Sequence, residues 1–226
     1  MAYTYESAVP WGRSFDEYVQ MFRLSDADLR LRILGCADGP AAFNAGLAEQ
    51  GRAVVSCDPL YQFSTAQIQT RIDETYDNVI AQTYRNLEHF VWTTISSVEA
   101  LGSKRRAAMN AFLADYDRGR SEGRYVPAEL PSLPFPSGTF DLALCSHFLF
   151  LYSPILSLAF HEQAVAAMCA AAGEVRIFPV LTYDAERSLH LDPIIASVER
   201  SGRRASIERV PYEFQRGGNE MLRIYC

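Results

Sequence analysis

Short apolar runs closed by glycine or proline alternate with stretches of helical period, and that alternation is the sequence pattern of an α/β sheet. The run 31–36 (LRILGC) reads as a strand, and Gly39-Pro40 then punctuates the chain. Proline suits the first position of a helix and Gly51 suits the stop, so a helix is predicted over 40–50. The run 53–57 reads as the next strand and ends at Asp58-Pro59. A strand, a turn, a helix and a second strand thus open the sheet, preceded by a helix-like run over 15–24.

Between residues 64 and 123 the period becomes helical for about 60 residues, several times what one sheet-covering helix needs. Ile68, Ile72, Tyr76, Val79, Ile80, Leu87 and Val91 recur at threes and fours. After a break near 93–97, so do Leu101, Ala108, Phe112 and Tyr116, which predicts two amphipathic helices inserted into the α/β unit. Strand patterns return at Tyr125-Val126, at 140–145 and at 174–181, with helices over about 155–172 and 192–201 that stop at Gly173 and Gly202. The last two strands, 206–210 and 220–225, are joined by so short a loop that they must run antiparallel.

A chain of 226 residues with 49% hydrophobic and 21% charged residues supports one domain, or one domain with an insertion. The net charge of −6 gives no basic field for phosphate backbones, so nucleic acid is not the expected partner. No basic region followed by an apolar run opens the chain and no stretch of about 18 apolar residues occurs, so neither secretion nor membrane spanning is expected. Cys36, Cys57, Cys145, Cys169 and Cys226 are widely spaced with no Cys-x-x-Cys pair, and read as reduced thiols of a cytoplasmic protein without a metal site.

Two segments carry the chemistry: 32–43 (RILGCADGPAAF) and 54–61 (VVSCDPLY). A strand enters a small-residue turn, and an acid ends the next strand 19 positions after Gly39. Small residues let a ligand approach the backbone, and such an acid accepts hydrogen bonds from ribose hydroxyls, so the pair reads as a nucleoside site. Only Gly35 and Gly39 are present, so the dinucleotide G-x-G-x-x-G pattern is absent. An ordinary turn at Gly39-Pro40 and an Asp-Pro turn at Asp58 are the plainer readings of each segment alone.

Together with 129–153 (ELPSLPFPSGTFDLALCSHFLFLYS) and 173–180 (GEVRIFPV), these segments resemble the class I S-adenosylmethionine-dependent methyltransferases, in pattern the small-molecule type 11 enzymes. The resemblance implies a Rossmann-like, seven-stranded, mostly parallel sheet with an antiparallel last strand and helices on both faces, here with a helical insertion. It implies an N-terminal cap segment over 1–30 and a methyltransferase domain over 31–226, interrupted by 64–123. It places Ala37, Gly39 and Ala41 in the turn under the methionine part of the cofactor, Asp58 on the ribose, and Pro59 and Leu60 beside the adenine. Glu129 and Leu130 fall on the adenine-contacting pair, and Cys145, Ser146 and His147 on the strand end facing the sulfonium.

The chain departs from the family at Gly35, where an acid is usual, and at Ala37 and Ala41, where glycine is. Asp38 is either a compensating carboxylate or, the favoured reading, a cap for the helix near Pro40. His147 is the candidate general base, beside the plainer reading of a packed histidine; His89, His161 and His190 read as solvent-facing. Arg13 is placed to meet the cofactor carboxylate or simply to pack on the surface. Tyr152, Tyr212, Glu213, Gln215 and Arg216 are candidate substrate contacts, although 215–218 reads first as a hairpin turn. Trp92, Phe112 and Tyr116 line an acceptor pocket or, as favoured, the core.

The expected activity is methyl transfer from S-adenosylmethionine to a small molecule. The alternatives are a non-catalytic methyltransferase-like binding or regulatory protein, and a nicotinamide-dependent oxidoreductase. The expected partners are the acceptor and a second copy of the chain as a homodimer, with no membrane.

Overall fold

The computed structural model describes residues 9–226, so residues 1–8 of the expected cap segment lie outside the described residues. The elements run α1 (Phe15–Met21), β1 (Ile33–Cys36), α2 (Phe43–Glu49), β2 (Val54–Cys57), α3 (Thr65–Arg85), α4 (Val98–Ser121) and β3 (Tyr125–Val126). They continue with β4 (Phe140–Ser146), α5 (Leu158–Ala171), β5 (Ala172–Phe178), α6 (Leu191–Arg200), β6 (Arg204–Arg209) and β7 (Glu220–Tyr225). One seven-stranded sheet results, in the order β3-β2-β1-β4-β5-β7-β6. Every pairing from β3 to β5 is parallel, and β7 is antiparallel to both β5 and β6.

Side chains alternate across the pleat, so each central strand feeds two cores. Leu34, Ala143, Val175 and Ile177 pack on one face with Val165 and Met168 of α5 and Ile194 and Val198 of α6. Ile33, Leu142 and Leu144 pack on the other with Tyr18 and Met21 of α1 and Phe43 and Leu47 of α2. The continuous apolar run of β4 is what a strand covered on both faces requires.

α3 and α4, the helices between β2 and β3, build a third cluster at the β3 edge from Tyr61, Ile68, Ile72, Met109, Phe112, Tyr116 and Tyr125. α3 opens with a capping box between Ser64 and Gln67, and α4 is capped by Ser97, so the break between them is written in local chemistry. Phe112 and Tyr116 are fully buried there and are core, not pocket wall. Trp92 instead stands edge-on to Phe90 and Phe214.

Several expectations are corrected. α2 begins at Phe43, not Pro40, because Ala37 and Gly39 both take left-handed backbone and hold the chain in a turn. α5 begins after Ser157, whose hydroxyl accepts the Phe160 N–H, and passes into β5 with no glycine stop, Gly173 being a strand residue. Cys169 and Cys226 form a disulfide with Cα atoms 5.3 Å apart. Antiparallel β7 returns the end of the chain to the start of β5, where the Cys226 N–H bonds the Gly173 carbonyl at 3.0 Å. A pairing across 57 residues leaves no spacing signal. Among the described residues no helix is long and apolar enough to cross a membrane, and no cluster of His, Cys, Asp and Glu suits a metal ion.

Candidate active site

β1 lies between β2 and β4, and the helices that follow β1 and β4 pack on opposite faces of the sheet. The crevice outside the ends of β1 and β4 is therefore a topological switch point, where open α/β sheets bind ligands. Cys57, Cys36 and Cys145 stand level across β2, β1 and β4, so the loops that follow these three strands leave the sheet side by side. A cavity of about 780 Å³ opens among them, within the range of small-molecule sites.

Its floor is the turn after β1. Ala37 has φ +53° and Gly39 φ +52°, and a Cβ added to Gly39 would meet no protein atom within 4 Å. A ligand can thus approach this backbone closely. Asp58, at the end of β2, braces the turn: its carboxylate accepts the Gly39 N–H at 2.9 Å and the Leu60 N–H at 2.8 Å. Burial raises its pKa against those two hydrogen bonds. Tyr61 Oη completes the brace by donating to the Gly39 carbonyl at 2.7 Å.

Asp38 does not cap α2. Its carboxylate accepts hydrogen bonds from Tyr18 Oη at 2.8 Å and Ser56 Oγ at 2.6 Å. A Cβ placed on Gly35 would overlap that carboxylate. Asp38 therefore fills the space into which a residue-35 side chain would project, and the glycine is what admits it. Burial pushes its pKa up to about 6, helped by the nearby Asp58 charge and opposed by Ser56 and Tyr18.

Pro59, Leu60, Glu129, Leu130, Ser146 and His147 also line the cavity, as do Ala37, Asp38, Gly39 and Asp58. Gly35 and Cys145 are buried in the sheet and do not. His147 stands just past β4 in left-handed backbone, φ +51°, its N–H held by the Phe178 carbonyl at 2.7 Å. Ser146 Oγ lies 2.9 Å from Nδ1, which leaves Nε2 for a ligand. Burial, Arg13 and Arg105 hold the imidazole well below its usual range, so it is neutral at pH 7.

A smaller cavity of about 110 Å³ adjoins this one, sharing Trp11, Arg13, His147 and Leu151 with it. Arg105 of α4 lines only the smaller one. Arg105 is 1% exposed and donates to Glu17 at 2.6 Å, and Tyr212 donates to the same carboxylate at 3.0 Å. Neither Glu17 nor Arg105 was singled out from the sequence, yet Arg105 left a signal there: it is a charged residue in the apolar register of Leu101, Ala108 and Phe112.

Of the remaining candidates, Tyr152 lines the larger cavity and Gln215 the smaller. Glu213 and Arg216 tie their own loop, Glu213 accepting from Gly217 and Asn219 and Arg216 donating to the Glu88 and Phe90 carbonyls. His161 is not solvent-facing: it is fully buried between the Ser157 and Leu149 carbonyls, each 2.9 Å away.

Strand order, an antiparallel β7 and a ligand-sized cavity at the switch point define the class I, Rossmann-like methyltransferase fold. Magnesium protoporphyrin IX methyltransferase of Synechocystis PCC 6803, solved with bound SAH, shares it with a TM-score of 0.50 at 12% identity, over 93% of this chain and 80% of that one. No protein-family model matches the sequence. The uncharacterized protein MJ0045 of Methanocaldococcus jannaschii is 32% identical over 216 residues, 94% of each chain, and the present chain belongs to the same family.

Proposed function

We propose that this protein is an S-adenosylmethionine-dependent methyltransferase acting on a small molecule. The observation that carries the reading is the switch-point cavity, floored by the open Ala37–Gly39 turn and flanked by Asp58. The donor set fits the cofactor: Asp58 would take the ribose hydroxyls, Leu60, Glu129 and Leu130 the adenine, and residues 37–39 the methionine part. When bound, the cofactor supplies a methyl group on a sulfonium that leaves as a neutral thioether. The protein's task is then alignment, with a base needed only where the acceptor must lose a proton. His147 is the candidate base: neutral at pH 7, it has Nε2 to receive that proton in the tautomer whose Nδ1–H donates to Ser146 Oγ, 2.9 Å away.

Isothermal titration with S-adenosylmethionine, S-adenosylhomocysteine and NADH tests this. Both adenosyl compounds should bind and NADH should not; binding of neither at millimolar concentration, or of NADH alone, overturns the reading. Asp58→Ala should then weaken S-adenosylhomocysteine binding by about 1.5–3 kcal/mol, roughly 10- to 150-fold, through loss of charge-assisted hydrogen bonds. An unchanged affinity would remove Asp58 from the ribose.

A further inference from the structure

The region around the smaller cavity carries an unbalanced charge. The charged and titratable groups facing Arg13 include Arg105, Glu17, Tyr18, Tyr152, Tyr212 and His147, so two guanidinium groups meet one carboxylate. That carboxylate is already engaged: Glu17 Oε2 takes Ser14 N–H, Ser14 Oγ and Arg105, and Oε1 takes Tyr212. Arg13 donates through Nη1 to the Trp11 carbonyl, while its buried Nε has no partner among the described residues. The Nε of fully buried Arg105 also lacks one. Buried cations of this kind are ordinarily matched by an anion, because desolvation without a partner is costly.

The rest of the wall is mostly apolar, with Val79 and Leu101 from the inserted helices, Leu151, and a Phe90–Phe214 stack with ring centroids 4.8 Å apart. Among its polar members Thr83 donates to the Val79 carbonyl and Gln215 to the Thr182 carbonyl, and Tyr183 completes it. We infer that this chamber receives the acceptor, and that the acceptor is an apolar or aromatic molecule bearing a carboxylate, which Arg13 and Arg105 read beside His147. The inference rests on the methyltransferase reading and adds the acceptor's charge and place. The cofactor cradle is a different set of residues: Ala37, Gly39, Asp58 and Glu129 line only the larger cavity, whereas Arg105, Val79 and Leu101 line only the smaller. The two meet at Arg13 and His147, where an acceptor in the chamber would face the methyl donor.

The test is calorimetry on the full chain saturated with S-adenosylhomocysteine, titrated with sodium benzoate and with benzamide as its neutral counterpart. Benzoate should bind at least tenfold more tightly than benzamide, and Arg13→Gln should remove that preference. The same variant should change the affinities for S-adenosylhomocysteine and for 5′-methylthioadenosine, which lacks the amino-acid part, by the same factor. Equal binding of benzoate and benzamide to the wild-type chain overturns the inference without recourse to any variant. So does a variant that loses S-adenosylhomocysteine but keeps methylthioadenosine, since Arg13 would then be reading the cofactor carboxylate. Failure of the wild-type chain to take up S-adenosylhomocysteine would instead defeat the methyltransferase reading itself.

Discussion

Glu17→Gln is expected to lower the unfolding free energy at pH 7 by about 3–5 kcal/mol, read as a fall in the urea midpoint with an unchanged slope. Glu17 is 1% exposed and joins three parts of the chain: its own α1 through the Ser14 capping box, α4 through Arg105, and the loop before β7 through Tyr212. Glutamine keeps the shape and an acceptor for Ser14, but leaves Arg105 buried with no opposite charge and Arg13 close by. Burial raises the Glu17 pKa, and Arg105, Arg13 and Ser14 overcome it and hold the carboxyl down to about 2. The folded pKa thus lies below the ordinary 4.5, so the contribution is complete above pH 4.5 and is lost as pH falls toward 2. Wild-type protein should lose stability over that acid window, and the variant should lose less. A variant within 1 kcal/mol of wild type at pH 7 would show that the pair does not hold these elements together. Adding Arg105→Met to Glu17→Gln should recover part of the loss, because apolar packing then replaces an unpaired charge.

Asp38 has the opposite sign. Its folded pKa of about 6 stands above the ordinary 3.8, so the folded protein holds the proton more tightly and stability falls as pH rises from about 4 to 6. The drop amounts to about 3 kcal/mol for a shift of roughly two units. In Asp38→Asn this component is absent: unfolding free energies at pH 4 and pH 7 should lie closer together, relative to wild type, by about that amount. Asparagine can still accept from Tyr18 or Ser56, so the fold should survive the exchange. If the two proteins follow parallel pH profiles between 4 and 6, the buried carboxylate is not titrating there. Gly35→Ala attacks the same feature sterically, because the new Cβ would overlap the Asp38 carboxylate.

Much of this site was legible in order of residues alone. Asp58 follows an apolar run and precedes proline, and the turn after β1 is built of small residues; both are local patterns. The inserted helices were legible because 3.6-residue periodicity acts within a few residues; the serine caps that open them came only with the structure. Of the two readings of Asp38, the favoured one, a cap, fails: a small polar residue shortly before a proline resembles one, but this carboxylate occupies the space of a residue-35 side chain. Only the register that sets Gly35 beside Ser56 brings its carboxylate to the Ser56 hydroxyl and into the space beside Gly35. His161 departs from the expectation because a polar residue on a helix is ordinarily exposed, whereas the Ser157 carbonyl at Nδ1 and the Leu149 carbonyl and Ser153 hydroxyl at Nε2 surround this one inside the core.

The sequence by itself determined the alternation of strand and helix, the helical excursion between β2 and β3, the antiparallel ending and the order of the residues that line the switch-point cavity. Each follows from periodicity, capping or loop length, which act over short stretches of chain. Tertiary structure alone decided which distant groups meet: Glu17 with Arg105 across 88 residues, Cys169 with Cys226 across 57, and Arg13 and His147 at the junction of two cavities. Side-chain partnership at such separations is set by strand register and helix packing, and hydropathy records that a residue is buried without recording what it is buried against.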